Sequence, residues 1–107
     1  MNKFDFKGRV AVVTGAARGL GLGLAITERL LDGGAAVSMW DMDRAALETQ
    51  AKRLGARGKV NTAVVDVVNE SQVAVAAKAA QVNLRRIDIL VNNAGIAGPL
   101  RRRWSTR

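Results

Sequence analysis

The sequence predicts an α/β fold, a doubly wound parallel sheet present in part: four strands in the order 3-2-1-4 and three helices. Three observations predict it. Apolar runs of strand length alternate with stretches of helical periodicity, β-α-β-α-β-α-β, a pattern that calls for a parallel sheet with right-handed crossovers. A glycine-rich turn, "TGAARGLG" at 14–21, joins the first run to the first periodic stretch. Acids, Asp41 and Asp66, close the second and third runs.

The first strand is "RVAVVTG" at 9–15, a continuous apolar run ending in glycine, as expected of a strand buried on both faces. The helix after it carries Leu20, Leu24, Thr27 and Leu31 on one stripe and stops at Gly33 and Gly34. "AAVSMWD" at 35–41 is the second strand. Asp43 reads as an N-cap, and Leu47, Ala51 and Leu54 mark the buried face of a second helix that Gly55 ends. "KVNTAVVD" at 59–66 is the third strand. Asn69 with Gln72 three residues on resembles a capping box. It opens a third helix whose stripe is Val73, Ala76 or Ala77, Ala80 and Leu84. "IDILVNNAG" at 87–95 is the fourth strand running into a turn. Phe4 and Phe6 are expected in the core or as a staple.

The turn carries the chemistry. Gly15 lets the chain leave the strand sharply, Gly19 lets backbone N–H groups approach a pyrophosphate, and Gly21 is expected to permit close packing of helix on sheet. The anion would lie at a helix N-terminus, where unpaired donors and the helix dipole favour negative charge. No Gly-Lys-Ser/Thr follows, so the turn is not a P-loop. An acid about twenty residues beyond completes the dinucleotide fingerprint of a Rossmann-like sheet. From the end of the second strand, Asp41 can accept hydrogen bonds from both ribose hydroxyls and would repel a 2′-phosphate. That favours NAD over NADP, while Arg18 and Arg44 argue the other way because either can pair with a phosphate. The blander readings are a ligand-free tight turn and an Asp41 that only starts a helix.

The spacing Thr-Gly-x-x-x-Gly-x-Gly at Thr14 to Gly21 and "NNAG" at Asn92 to Gly95 resemble the short-chain dehydrogenase/reductase family, over residues 6 to 98. The resemblance implies an oxidoreductase that moves hydride between NAD(H) and an alcohol/carbonyl pair. It places the cofactor on Gly15, Ala17, Arg18, Gly19, Leu20, Gly21, Asp41 and Met42. Asp66 would meet the adenine amino group and the Val67 backbone the ring edge. Asn92, Ala94 and Gly95 would line the cofactor and steady the sheet, with Ile96 near the nicotinamide ribose. The family's proton relay needs a Tyr, a Lys four residues later and a Ser, and these 107 residues contain no tyrosine at all. Ser38, Ser71 and Ser105 have no histidine to activate them. The expectation is therefore a piece that binds the adenosine-pyrophosphate end and is inactive by itself. A non-enzymatic NAD-binding module is the alternative, and a weak nucleic-acid binder acting through the arginine tail is the more remote one.

Composition bounds the partners. Apolar residues make up 49% of the chain, as in ordinary soluble domains. No apolar run reaches the roughly 20 residues that cross a bilayer, and the first ten residues lack a secretory signal's apolar stretch. With neither cysteine nor histidine, a disulfide or a zinc site is not expected. The expected setting is the cytoplasm, without a membrane partner. Of seventeen basic side chains, Arg101, Arg102, Arg103 and Arg107 fall in 99–107, leaving thirteen against nine acids in the first 98 residues. Half of the net charge of +8 thus sits in a short tail. Four arginines neutralise phosphates weakly and without sequence preference, so nucleic acid is not the expected partner.

Residues 1–98 are thus expected to form an NAD-binding half-domain, and 99–107 a basic tail without fixed structure. Written in GC-rich codons and read two bases out of phase, "LRRRWSTR" becomes Ala-Ala-Pro-Val-Val-Asp-Pro, closer to the family. The expectation is a frameshift near Leu100, with a real short protein as the alternative. Strand four would then be an open apolar edge and the third helix would cover its face alone, giving a marginal, aggregation-prone domain. A substrate alcohol or ketone, and a homo-oligomer, are expected only of a full-length parent.

Overall fold

The computed structural model describes residues 5–17 and 21–93. In chain order the elements are β1 (Val10–Thr14), α1 (Leu22–Asp32), β2 (Ala36–Asp41), α2 (Arg44–Leu54), β3 (Val60–Val64), α3 (Glu70–Leu84) and β4 (Ile89–Asn92). The strands form one sheet in the order β3-β2-β1-β4, and each neighbouring pair is parallel. This is the partial doubly wound, Rossmann-like sheet expected from the alternation of elements.

β1 is buried at all five positions, because neighbouring strands flank it and side chains pack over both of its faces. Successive side chains of a strand point to opposite faces. Ala11 and Val13 therefore join Val37, Met39, Leu30, Leu31, Leu47 and Leu54 in the core beneath α1 and α2. Val12 faces the other way, with Trp40, Val65 and Ala76, beneath α3. Two helices against one face and one against the other is the expected division. It leaves an apolar groove of about 190 Å³ beside α3, lined by Val12, Trp40, Val73, Ala77, Ile87 and Leu90 among others. Leu90 on β4 is 60% exposed there.

The helix stripes differ from expectation in detail. In α1 the buried residues are Gly23, Thr27, Leu30 and Leu31, while Leu24 is only half-buried. Leu20 and Phe4 lie outside the described residues. Thr27 tolerates burial because its hydroxyl donates to the Gly23 carbonyl at 2.8 Å. Ala51 and Val73 are half-buried rather than fully covered. Phe6 packs on the first core, and its N–H donates to the Gly33 carbonyl at 2.8 Å.

Both predicted N-caps form. Asp43 accepts the Ala46 N–H at 3.0 Å, and Asn69 accepts that of Gln72 at 3.0 Å. The reciprocal half of the expected capping box does not form. Gln72 Oε1 instead accepts the N–H of Asp66 at 2.8 Å, and the Asn69 N–H goes to the Asp66 carbonyl. β3 accordingly stops at Val64, two residues earlier than expected, since the backbone of Asp66 is engaged in this turn.

Two features close α3 and align β4. Arg85, the C-cap, has φ 84, a left-handed conformation, and donates its N–H to the Gln81 carbonyl at 2.7 Å. Asp88 then ties the N-terminal ends of β1 and β4 together: Oδ2 accepts the Val10 N–H at 2.9 Å, and its own N–H donates to the Val10 carbonyl at 2.8 Å. Oδ1 takes both Nε and Nη2 of Arg86, at 2.9 and 2.7 Å. The Arg86 hydrogen bonds, and then the Val10 N–H, hold the Asp88 carboxyl below its ordinary value.

Arg85→Gly is expected to stabilise the fold by about 1 kcal/mol in denaturant titration, because a Cβ in the left-handed region costs that order of energy. The carboxyl of Asp88 is more acidic folded than unfolded. Its contribution is therefore present above the unfolded pKa of about 3.9 and lost as pH falls through the lower folded value. Asp88→Asn should lower the melting temperature at neutral pH and flatten its decline below about pH 4.

Candidate functional site

Parallel strands end at one edge of a sheet, and the C-terminal edge is where open α/β sheets bind ligands. Here that edge gathers Gly15 after β1, Asp41 at the end of β2, Asp66 just beyond β3 and Asn92 at the end of β4.

The turn after β1 starts at Gly15, where the chain leaves the strand in a left-handed conformation with φ 62. Ala16 continues the β1–β2 ladder for one more bond, its N–H reaching the Trp40 carbonyl at 3.1 Å. The N–H of Ala17 donates to Asp41 Oδ2 at 3.0 Å, and that of Asp43 to Oδ1 at 3.2 Å. The Asp41 carboxylate is only 3% exposed, a position tolerable for a charge when hydrogen bonds replace its water. It bridges the β1–α1 turn to the β2–α2 turn. Met42, next along, is 58% exposed.

α1 begins beyond Gly21, whose φ of 81 again requires glycine and whose position bears no side-chain cap. A Cβ built on Gly21 would meet nothing within 4 Å. The close packing expected of Gly21 belongs instead to Gly23, where a Cβ would strike the Gly15 carbonyl oxygen and stand 2.9 Å from Ala16 Cα. Glycines alternate at 19, 21 and 23, and their spacing does not say which one faces the sheet. The helix starts at Leu22, and that phase decides. Arg18, Gly19 and Leu20 lie outside the described residues.

At the far side of β1 the Thr14 hydroxyl donates to Asn92 Oδ1 at 3.1 Å and accepts the Asn93 N–H at 2.9 Å. Asn93 Nδ2 donates to the Gly15 carbonyl at 3.2 Å. The sheet-steadying role implied for Asn92 is thus shared with Thr14 and Asn93, neither of which was singled out for it. Both adjacent asparagines reach the end of β1, Asn92 at Thr14 and Asn93 at Gly15. Ala94, Gly95 and Ile96 lie outside the described residues.

Asp66 is half-buried, and its Oδ1 accepts the Val68 N–H at 3.1 Å. The Val65 N–H donates to the Asp41 carbonyl at 3.0 Å, which links this turn to the end of β2. The Val67 side chain packs with Trp40 and lines the groove beside α3. The structure therefore bonds Asn92 and Gly15 into one group with Thr14 and Asn93, bonds Ala17 to Asp41 in a second, and sets Asp66 one strand along. Arg44, exposed in the first turn of α2, makes no ion pair among the described residues. Among the described residues no group of three or more acids could hold a metal ion, and no helix is long and apolar enough to cross a membrane.

The chain matches the family model described as short chain dehydrogenase over residues 9–104, a span that runs into the segment read as a tail. It is 45% identical over 93 residues to a 1-deoxy-11-beta-hydroxypentalenate dehydrogenase of Streptomyces exfoliatus, covering 86% of this chain and 33% of that protein. Among solved structures it resembles the L-sorbose reductase of Gluconobacter frateurii complexed with NADPH and L-sorbose, with TM-score 0.81 and 31% identity, over 89% of this chain and 36% of that one. A short chain dehydrogenase from Mycobacterium paratuberculosis bound to NAD gives TM-score 0.79 and 29% identity, over 89% of this chain and 40% of that one. The chain spans about a third of the length of the Streptomyces relative.

Gly23→Ala is expected to destabilise the chain by about 2 kcal/mol, the order of cost of forcing an extra methyl into a packed contact. Gly23→Ala should also shift the amide resonances of Ala16 and Ala17. A melt unchanged from wild type would show that α1 does not press on the turn.

Proposed function

The chain belongs to the short chain dehydrogenase family, and from that premise we propose that it binds the adenosine-pyrophosphate end of a nicotinamide dinucleotide, NAD in preference to NADP. The observation that carries the reading is the Asp41 carboxylate, fixed at the end of β2 by the N–H groups of Ala17 and Asp43. The residues present fit such a group. The first turn of α1 has no side-chain cap and no acid, and a Cβ built on Gly21 would meet nothing within 4 Å. An anion is favoured at such a helix N-terminus. Asp66 keeps Oδ2 for an amino donor, since Val68 takes only Oδ1.

When bound, the nicotinamide would supply or accept a hydride. The chain's own part is positional. N–H donors at the start of α1 would hold the diphosphate, Asp41 the ribose hydroxyls and Asp66 the adenine, while Thr14, Asn92 and Asn93 keep the ends of β1 and β4 in register. Hydride transfer to or from an alcohol/carbonyl pair is proposed for the full-length protein, whose homo-oligomeric assembly is part of the same proposal. The 107 residues hold no tyrosine for a proton relay. Ser38 is buried, bonded to Asn61 and Trp40, so it is no substitute. We propose that residues 1–98 bind cofactor without turnover and that 99–107 add a basic tail. A cytoplasmic setting accords with a cysteine-free composition.

One observation favours NADP as a second reading: Arg44 is exposed, lacks an ion pair among the described residues and lies three residues past Asp41. Titration with both dinucleotides separates the two. NAD is expected to bind at least about tenfold more tightly, because a carboxylate against a 2′-phosphate costs several kcal/mol. Asp41→Asn should remove most of that difference. Equal affinities in the wild type would favour the second reading, and no saturable binding of either would overturn the proposal.

A further inference from the structure

Nothing in the cofactor fingerprint includes Gln72, yet its side chain holds the backbone of the residue proposed to read adenine. Resting on that reading of Asp66, we propose that Gln72 is a positioning residue that makes the site select an amino-bearing purine. Four hydrogen bonds close the turn between β3 and α3. The Asp66 N–H donates to Gln72 Oε1 at 2.8 Å, and the Asp66 carbonyl accepts from Asn69 at 2.9 Å. Asp66 Oδ1 accepts from Val68 at 3.1 Å, and Asn69 Oδ1 accepts from the Gln72 N–H at 3.0 Å.

Asp66 is thereby held at its amide, its carbonyl and one carboxylate oxygen. The other oxygen, Oδ2, accepts nothing among the described residues. It is free to accept a hydrogen bond from an exocyclic amino group, and it offers none to a ring carbonyl. Remove the Gln72 amide and the Asp66 N–H turns to water, because this part of the turn is exposed. The residue can then rotate about its N–Cα bond and the carboxylate loses its direction. The start of α3 does not depend on that side chain. Asn69 caps the helix by accepting the backbone N–H of residue 72, which any non-proline residue supplies.

The test is a comparison of two ligands on the whole chain. NAD and its hypoxanthine analogue, in which a ring carbonyl replaces the adenine amino group, are titrated calorimetrically into the wild type, Gln72→Ala and Gln72→Glu. The wild type should prefer NAD. Gln72→Ala should weaken NAD by about threefold to tenfold, the effect of one hydrogen bond, and leave the analogue unchanged. Gln72→Glu, which keeps an acceptor for the Asp66 N–H, should restore the preference. A Gln72→Ala variant that weakens both ligands equally, or neither, overturns the inference while cofactor binding stands. A wild type that binds NAD without preferring it refutes the role of Asp66, and the inference falls with it. A wild type that binds neither ligand refutes the proposed function itself.

Discussion

A strand that pairs on both sides and is buried on both faces commits its backbone to its ladders. Whatever β1 does for a ligand, it does through the residues just past its last rung. That constraint organises the site. Thr14 reaches sideways to β4, Ala16 and Ala17 reach the other way to β2 and Asp41, and Gly15 bends between them. α1 can then sit against the turn only where it carries no side chain, at Gly23. Strand pairing, the turn and the helix start are fixed together, and none can move without disturbing the others.

Asp41 shows how the same geometry handles charge. A carboxylate this deeply covered would be expensive if its oxygens were unpaired, but each accepts a backbone N–H from a different turn. Burial and hydrogen bonding then act together, turning an acid at a strand end into a brace between two loops. The brace also places a negative group where the β1–α1 and β2–α2 turns meet.

The two faces of the sheet are finished unequally. Beneath α1 and α2 the core is continuous from Val13 to Leu54. Beside α3 the packing thins into the groove under Leu90 and Ile87. Leu90, 60% exposed, leaves that side of the sheet open among the described residues.

The sequence by itself determined the element order, the parallel sheet, both N-caps and the family. These follow from periodicity and from short motifs whose partners are at most a few residues away. A continuous apolar run predicted the strand holding Val12 and Val13 as buried on both faces, and Asp43 and Asn69 each cap the helix that follows them directly. Only the tertiary structure decided which glycine α1 rests on, how Asn92 and Asn93 tie β4 to β1, and where the Gln72 side chain goes. Each of those answers depends on the phase of a helix or the facing of a strand relative to a neighbour. Phase is a three-dimensional quantity: Gly21 and Gly23 are equivalent on paper, but one stands in open space and the other against a carbonyl.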